Sequence, residues 1–218
     1  MNKPVFFRRP FKYSYSHITL IIAVINIVIY ALCYFTPEFG KYIYNYGALN
    51  ASRVEYRHMY WQFFTYMFVH HDFSHVFFNM FGLLMFGIPL EKCIGSKEFS
   101  LFYAVCGILS GLFSFLVYKF TGQYRVFLLG ASGAVYAVLF AYAVVYPKST
   151  VFIWGIVPIP APILVIIYAL IEVASQMLGR GANVAHLTHL FGFLAAILYF
   201  EIRMGIHPVK IWKNAYGK

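Results

Sequence analysis

The sequence predicts an all-α membrane protein, a bundle of six transmembrane helices with both termini in the cytoplasm. Hydrophobic residues make up 61% of the 218 residues, charged residues only 11%, and the mean hydropathy is +0.71. A soluble domain carries roughly 25% charged residues. The apolar runs are continuous and do not alternate with polar residues, which indicates helices rather than the strands of a membrane barrel.

Six apolar runs set the expected organisation. They cover residues 18–35, 73–90, 99–118, 132–146, 156–177 and 184–202. We expect a cytoplasmic segment at 1–17, one membrane domain at 18–205 and a cytoplasmic tail at 206–218. No convincing signal-peptide cleavage site follows the first run, so we expect that helix to be retained. Residues 36–72 are aromatic-rich but too polar to span, which predicts an interfacial loop with short helices.

The basic residues predict the orientation. Of the 17 lysines and arginines, eleven fall on the side of the two termini and six on the other side. The positive-inside rule then makes the termini cytoplasmic, and the second, fourth and sixth helices begin at the extracytoplasmic face. We expect a multi-pass protein of the lipid bilayer, in a bacterial cell (inner) membrane. The net charge of +10 resides in loops and tails, so we expect no nucleic-acid partner.

The chain is organised around residues 129–136, a Gly/Ala-rich turn that contains Ser132 and opens the fourth apolar run. A serine at the head of a helix can leave its hydroxyl uncovered, and the free N–H groups of that first turn point to the same place. A serine nucleophile with backbone oxyanion donors needs this arrangement. The alternative is that Gly133, Ala137 and Ala141 serve only close helix packing.

Polar residues begin the second, fourth and sixth helices at a shared depth. Besides Ser132 they are His70, His71, Asp72, Ser74, His75, Asn79, Asn183, His186 and His189. All lie in the first two turns, within about 10 Å of the same surface at 1.5 Å per residue. Polar groups in hydrocarbon are costly and usually functional, so their convergence predicts a site open to the extracytoplasmic side.

Helix spacing indicates how these residues meet. His189, Gly192 and Ala196 form one stripe, whose small residues would let the sixth helix approach the fourth and bring His189 to Ser132. His75 and Asn79 share a face and could both donate to an oxyanion. His186 is interpreted as a satisfied interfacial histidine. No carboxylate is expected beside the pair, because Asp72, Glu172 and Glu201 do not look suitably placed, so we expect a Ser–His dyad.

These residues resemble the rhomboid family of intramembrane serine proteases. The matching motifs are Trp61-Gln62, His70, His75-x-x-x-Asn79, Phe86-Gly87-x-x-Leu90-Glu91-x-x-x-Gly95, Gly130-x-Ser132-Gly133 with Tyr136, and His189-x-x-Gly192-x-x-x-Ala196. The chain departs from the family pattern where Gln62 replaces a common arginine, where Ala196 replaces the last glycine, and in the adjacent His70-His71.

The resemblance implies that Ser132 is the nucleophile and His189 the general base. It implies that His75, Asn79 and the backbone N–H of Ser132 form the oxyanion hole, with Tyr136 supporting the histidine ring; Gly130, in the turn before the serine, belongs to the same supporting group. Substrates would be transmembrane segments of membrane proteins with helix-breaking residues, and the fifth helix would gate their entry. No cofactor or metal is implied.

Two other functions fit the same residues. One is a metal-binding membrane protein, either a transporter or a metalloprotease, that uses His70, His71, Asp72, His75, His186 and His189. Against it, several of these residues lie in a loop, and the sequence has no HExxH motif. The other is a catalytically silent relative that binds transmembrane clients, which the presence of both Ser132 and His189 disfavours.

Overall fold

The structure, a computed structural model, describes residues 11–153, 155–178 and 183–217. Part of the predicted N-terminal segment and the loop before the sixth helix therefore lie outside the described residues, as does the side chain of Asn183. The described chain is mostly helical. Its helices are α1 (Ile18–Phe35), α2 (Pro37–Gly47), α3 (Ala51–Arg57), α4 (Gln62–Thr65), α5 (Phe73–Ile94), α6 (Ser96–Phe120), α7 (Ser132–Val145), α8 (Ala161–Met177), α9 (Asn183–Tyr199) and α10 (Pro208–Tyr216).

Four helical segments in the described part of the chain are long and apolar enough to cross a membrane. They are Ile18–Phe35, Phe73–Ile94, Ser96–Phe120 and His186–Met204. The last of these continues α9 through a π-helical turn at Phe200–Met204. Helices α7 and α8 are apolar but shorter. The protein is an integral multi-pass membrane protein, and the count of six spans with cytoplasmic termini stays a prediction.

Two small antiparallel sheets interrupt the predicted all-helical architecture. Strand β1 (Leu49–Asn50) pairs with β2 (Phe127–Leu128), and β3 (Thr150–Ile153) pairs with β4 (Val157–Pro160). The fifth apolar run was expected to become helical at 156, but α8 begins at Ala161. Pro158 and Pro160 explain the difference, because a proline restricts the residue before it to extended conformations.

The connection at 36–72 contains the short helices that its composition predicts. The fully buried Gln62 fixes this loop where the family often has arginine. Its side-chain carbonyl accepts the N–H of Asn50 at 3.1 Å, and its amide donates to the carbonyl of Tyr46 at 3.3 Å. Because β1 pairs with β2, the loop also holds the strand that leads into the Ser132 turn.

Helix α7 lies in the centre of the bundle. It packs against α5, α6, α8 and α9, and most of its residues are buried. A helix that is apolar on all sides is suited to this position. On the periphery, α1 and α8 expose apolar side chains such as Leu20, Val24, Ile166 and Leu170, as expected of helices that face lipid tails.

Glycine makes the contact between α7 and α9 close. A β-carbon added to Gly192 would overlap the backbone carbonyl oxygen of Gly133, and one added to Gly133 would lie 2.8 Å from the β-carbon of Ser110. Ala196, one turn further along α9, is fully buried. The stripe of small residues on α9 thus lies against α7, and this contact brings His189 close to the start of α7.

Candidate active site

The turn before Ser132 owes its shape to Gly130. This residue has φ +106°, a backbone conformation that residues with a β-carbon rarely adopt. A β-carbon there would also overlap the imidazole of His75. The N–H of Gly130 donates to the carbonyl of Tyr66 at 3.0 Å, and the N–H of Ala131 donates to Nε2 of His70 at 3.4 Å. The chain is therefore held on both sides as it enters α7.

Ser132 and His189 are in direct contact. Oγ of Ser132, the first residue of α7, lies 2.8 Å from Nε2 of His189 on α9. Among the described residues, no group accepts the backbone N–H of Ser132. This site therefore combines a hydroxyl, an imidazole within hydrogen-bonding distance, and an unused N–H at a helix start.

A carboxylate stands beside this pair, so the expectation that none would do so is wrong. Oε1 of Glu172 on α8 lies 2.8 Å from Nδ1 of His189, and Oε2 lies 2.6 Å from Nδ1 of His186. The hydroxyl of Tyr136 donates to the same Oε1 at 2.5 Å. Glu172 is buried, at 4% exposure. The rotation of α8 about its axis, which hydropathy does not reveal, turns this side chain toward α7 and α9.

Tyr136 also contacts His189 with its ring. The two rings are nearly parallel, with an interplanar angle of 11° and centroids 4.2 Å apart. His186 is half-buried and contacts Glu172, so it takes part in the same hydrogen-bonded cluster.

The predicted oxyanion donors lie on α5, at the edge of the site. The carboxylate of Asp72 accepts the N–H of His75 at 2.8 Å and thereby caps α5. The side-chain amide of Asn79 donates one hydrogen to the carbonyl of His75 at 2.8 Å, which leaves its second N–H hydrogen available. His70 and His71 do not join the cluster around Glu172: His70 contacts the turn before Ser132, and the exposed His71 lies beside Asp72.

A cavity of about 850 Å³ connects these groups. Its walls come from α5, α7, α8, α9 and the β3–β4 hairpin. Ser132, His189, His75, Asn79 and Tyr136 lie on its surface, and most of the remaining lining is apolar, including Phe77, Phe78, Leu139, Leu164 and Tyr168. An apolar cavity with a few convergent polar groups is the usual form of a binding or active site.

Three potential metal ligands also lie together in the described part of the chain. The ligand atoms of Glu172, His186 and His189 all lie within 4.8 Å of one another. In this arrangement both histidine Nδ1 atoms are at hydrogen-bonding distance from the carboxylate. The metal cluster predicted from the sequence does not include Glu172 and is not assembled among the described residues, because four of its members, His70, His71, Asp72 and His75, lie on the α5 side.

Fold and site together define a helical membrane protein whose serine and histidine meet in an apolar cavity. Residues 57–205 match the model of the Rhomboid domain. The chain belongs to the rhomboid family, as its motifs indicate.

Several relatives share this similarity. Over 156 residues the chain is 30% identical to "RHOMBOID-like protein 12, mitochondrial" of Arabidopsis thaliana, which covers 65% of the chain and 46% of that relative. It is 30% identical to "Rhomboid protein 1, mitochondrial" of Saccharomyces cerevisiae over 61% of the chain and 38% of the relative. It is 33% identical to "Rhomboid protease GlpG" of Salmonella choleraesuis over 36% of the chain and 26% of the relative. The matches thus span less than half the length of these relatives.

Proposed function

We propose that the protein is an intramembrane serine endopeptidase that hydrolyses peptide bonds in transmembrane segments of other membrane proteins. The observation that carries the proposal is the 2.8 Å contact between Oγ of Ser132 and Nε2 of His189 inside the apolar cavity. Membership of the rhomboid family, and the word protease in the name of the Salmonella relative, support it.

The proposed reaction begins when Nε2 of His189 accepts the hydroxyl proton of Ser132, and Oγ attacks the scissile carbonyl carbon. The carbonyl oxygen becomes an oxyanion, which the N–H of Ser132 and the side chains of His75 and Asn79 stabilise. His189 then gives its proton to the leaving nitrogen as the C–N bond breaks. Water, activated by the same imidazole, hydrolyses the ester bond to Ser132 and releases the second fragment.

The length of α7 supports a site below the membrane surface. Its 14 residues extend about 21 Å, against a hydrocarbon thickness of about 30 Å. With its C-terminal end at the cytoplasmic boundary, its first residue, Ser132, lies about 9 Å inside the opposite boundary. We further propose that the site faces the extracytoplasmic side of the membrane, on the basis of the distribution of basic residues.

Labelling with a fluorophosphonate probe in detergent tests the proposal, because such probes react with a serine that its neighbours make nucleophilic. We expect wild type to be labelled and Ser132→Ala and His189→Ala to remain unlabelled. Ser74→Ala is the matched control, because Ser74 lines the same cavity and its loss should leave labelling intact. Cleavage of a model transmembrane substrate should fall at least about 10³-fold in Ser132→Ala.

The proposal would be overturned if folded wild-type protein is not labelled or does not cleave the substrate. It would also be overturned if Ser74→Ala abolishes labelling. The silent-relative alternative predicts the first of these results.

Metal binding is the second candidate function, and the proximity of Glu172, His186 and His189 favours it. Two histidines and a carboxylate are a known zinc ligand set. Metal analysis before and after chelation separates the candidates. A serine protease keeps its probe labelling after chelation, whereas a metal-dependent protein loses a stoichiometric ion together with its activity.

A further inference from the structure

We infer that Glu172 is a positioning residue for the proposed Ser132–His189 pair, and that the pair is competent for catalysis only while α8 is packed against α7 and α9. This inference rests on the proposed function. It adds a third member to the dyad and assigns it to a different helix from the other two. Three contacts of the Glu172 carboxylate carry the argument, together with its place on α8.

The contacts of the Glu172 carboxylate determine which ring nitrogen of His189 carries a proton. An ionised carboxylate can only accept hydrogen bonds, and three groups face this one: the Tyr136 hydroxyl and the Nδ1 atoms of His186 and His189. The contact with His189 therefore places the proton on Nδ1. The other ring nitrogen, Nε2, is then left without a proton and can accept the one from Ser132, as a general base must.

The carboxylate of Glu172 is buried between helices. Glu172 is 4% exposed, and a buried carboxylate is stable only when it is paired and hydrogen-bonded. It is the only charged residue between 161 and 177, in a helix whose outer face is apolar. Moving α8 outward would separate the carboxylate from all three partners at once. The packed position of α8 is therefore linked to the orientation of His189.

Helix α8 also forms part of the cavity wall. Leu164, Tyr168 and Glu172 are spaced four residues apart and share one face of the helix. Leu164 and Tyr168 form part of the cavity wall, and Tyr168 also packs edge-on against Tyr136. A segment that enters the cavity thus contacts the same helical face that carries the carboxylate. Substrate entry and the orientation of the His189 imidazole are therefore coupled through one rigid element, α8.

The experiment compares Glu172→Gln with Glu172→Asp in detergent, using fluorophosphonate labelling and substrate cleavage. The glutamine variant keeps the shape, but its amide can donate to Nδ1 and so favour the wrong tautomer of His189. We expect it to lower the labelling rate and kcat between about 10²- and 10⁴-fold, with little change in KM. The aspartate variant is shorter but keeps the charge, and should retain more activity than the glutamine variant.

Val173→Ala is the matched control. Val173 is next to Glu172 on α8, but it is exposed and is not among the residues that line the cavity, so its truncation should leave the packing of α8, the carboxylate and the labelling rate unchanged. The small probe reaches Ser132 without any transmembrane segment entering the cavity. A gating role alone would therefore change substrate cleavage but not labelling.

Equal labelling by wild type and folded Glu172→Gln would overturn the inference, and so would glutamine outperforming aspartate. If the variants do not fold, the ring nitrogens of His189 in wild type can be read by ¹⁵N NMR, with His189→Gln used for assignment. A proton on Nε2 instead of Nδ1 would then overturn it. Absence of labelling in wild type would instead overturn the proposed function itself.

Discussion

The ring of Tyr136 lies parallel to the ring of His189, with centroids 4.2 Å apart, and its hydroxyl donates to the carboxylate that contacts the same histidine. One side chain therefore holds the imidazole in two ways: by covering its face, and by orienting Glu172.

The two contributions of Tyr136 can be separated by substitution. Tyr136→Phe keeps the stacked ring but loses a hydrogen bond to a charged group, which is worth about 1.5–3 kcal/mol, so activity should fall roughly 10- to 100-fold. Tyr136→Ala also removes the ring and should be less active still. Substrate kinetics measure both. Tyr142→Phe, on the same helix but packed against Phe86 and Tyr146, should behave like wild type. Equal activity of the Phe and Ala variants would contradict a role for the stacked ring.

The glycine contact between α7 and α9 predicts a stability difference. Gly192→Ala would press a methyl group against the backbone oxygen of Gly133, and such overpacking costs about 1–3 kcal/mol of unfolding free energy. Gly82→Ala is the control, because the added methyl group meets only a side-chain methyl of Val135, at 3.1 Å. At this position the higher helix propensity of alanine offsets the free-energy cost of the close contact. Thermal unfolding in detergent measures both, and equal melting temperatures would contradict the prediction.

The buried carboxylate of Glu91 predicts a second stability effect. It accepts the N–H groups of Ile18 and Thr19 at 2.8 Å, and the hydroxyls of Thr19 at 2.7 Å and Ser96 at 2.5 Å. Glu91→Gln would replace one acceptor oxygen with a donor and leave N–H groups unpaired, which costs about 2–5 kcal/mol.

Chemical denaturation reports the loss at Glu91, and Glu38→Gln is the control. Glu38 is exposed, and among the described residues its carboxylate contacts only Lys41, at 2.8 Å. Its replacement should therefore have little effect on the free energy of unfolding. Similar denaturation midpoints for the two variants would contradict the capping role of Glu91.

His70 predicts a pH dependence of stability. Burial, and next the neighbouring His75 ring, lower the pKa of His70 to about 3, against about 6.5 for an unfolded chain. Between these values the unfolded chain binds a proton that the folded protein does not, so stability falls as pH falls below about 6.5. The slope from this residue is at most about 1.4 kcal/mol per pH unit. His70→Gln should flatten the dependence in denaturation measured at pH 7 and pH 5. An unchanged slope would contradict the prediction.

Hydropathy located most of the helices because the bilayer selects for length and apolarity. The first predicted run, 18–35, matches α1 residue for residue. The start of the fifth helix was predicted five residues too early, because hydropathy alone does not distinguish an apolar β-hairpin with two prolines from a helix. Family membership was predicted from motifs and is confirmed by the match to the Rhomboid domain.

The sequence did not place the carboxylate of Glu172 beside Ser132 and His189. A signal was available, since a lone ionisable residue in an apolar helix marks a functional site by default. What was missing was the rotation and depth of α8, which decide whether a side chain points to lipid or to a neighbouring helix. His186, interpreted as a satisfied interfacial histidine, contacts the same carboxylate.

The sequence by itself determined the class of protein, the position of most helices, and the serine and histidine that should meet. These features depend on local composition and on spacing along one helix. Only the tertiary structure decided that Glu172 contacts His189, that Tyr136 stacks on that ring, and that the loop at 36–72 holds the strand before Ser132. Such contacts join separate helices and require their rotation and separation to be right within about 0.5 Å. That accuracy comes from packing, such as the approach of Gly192 to Gly133.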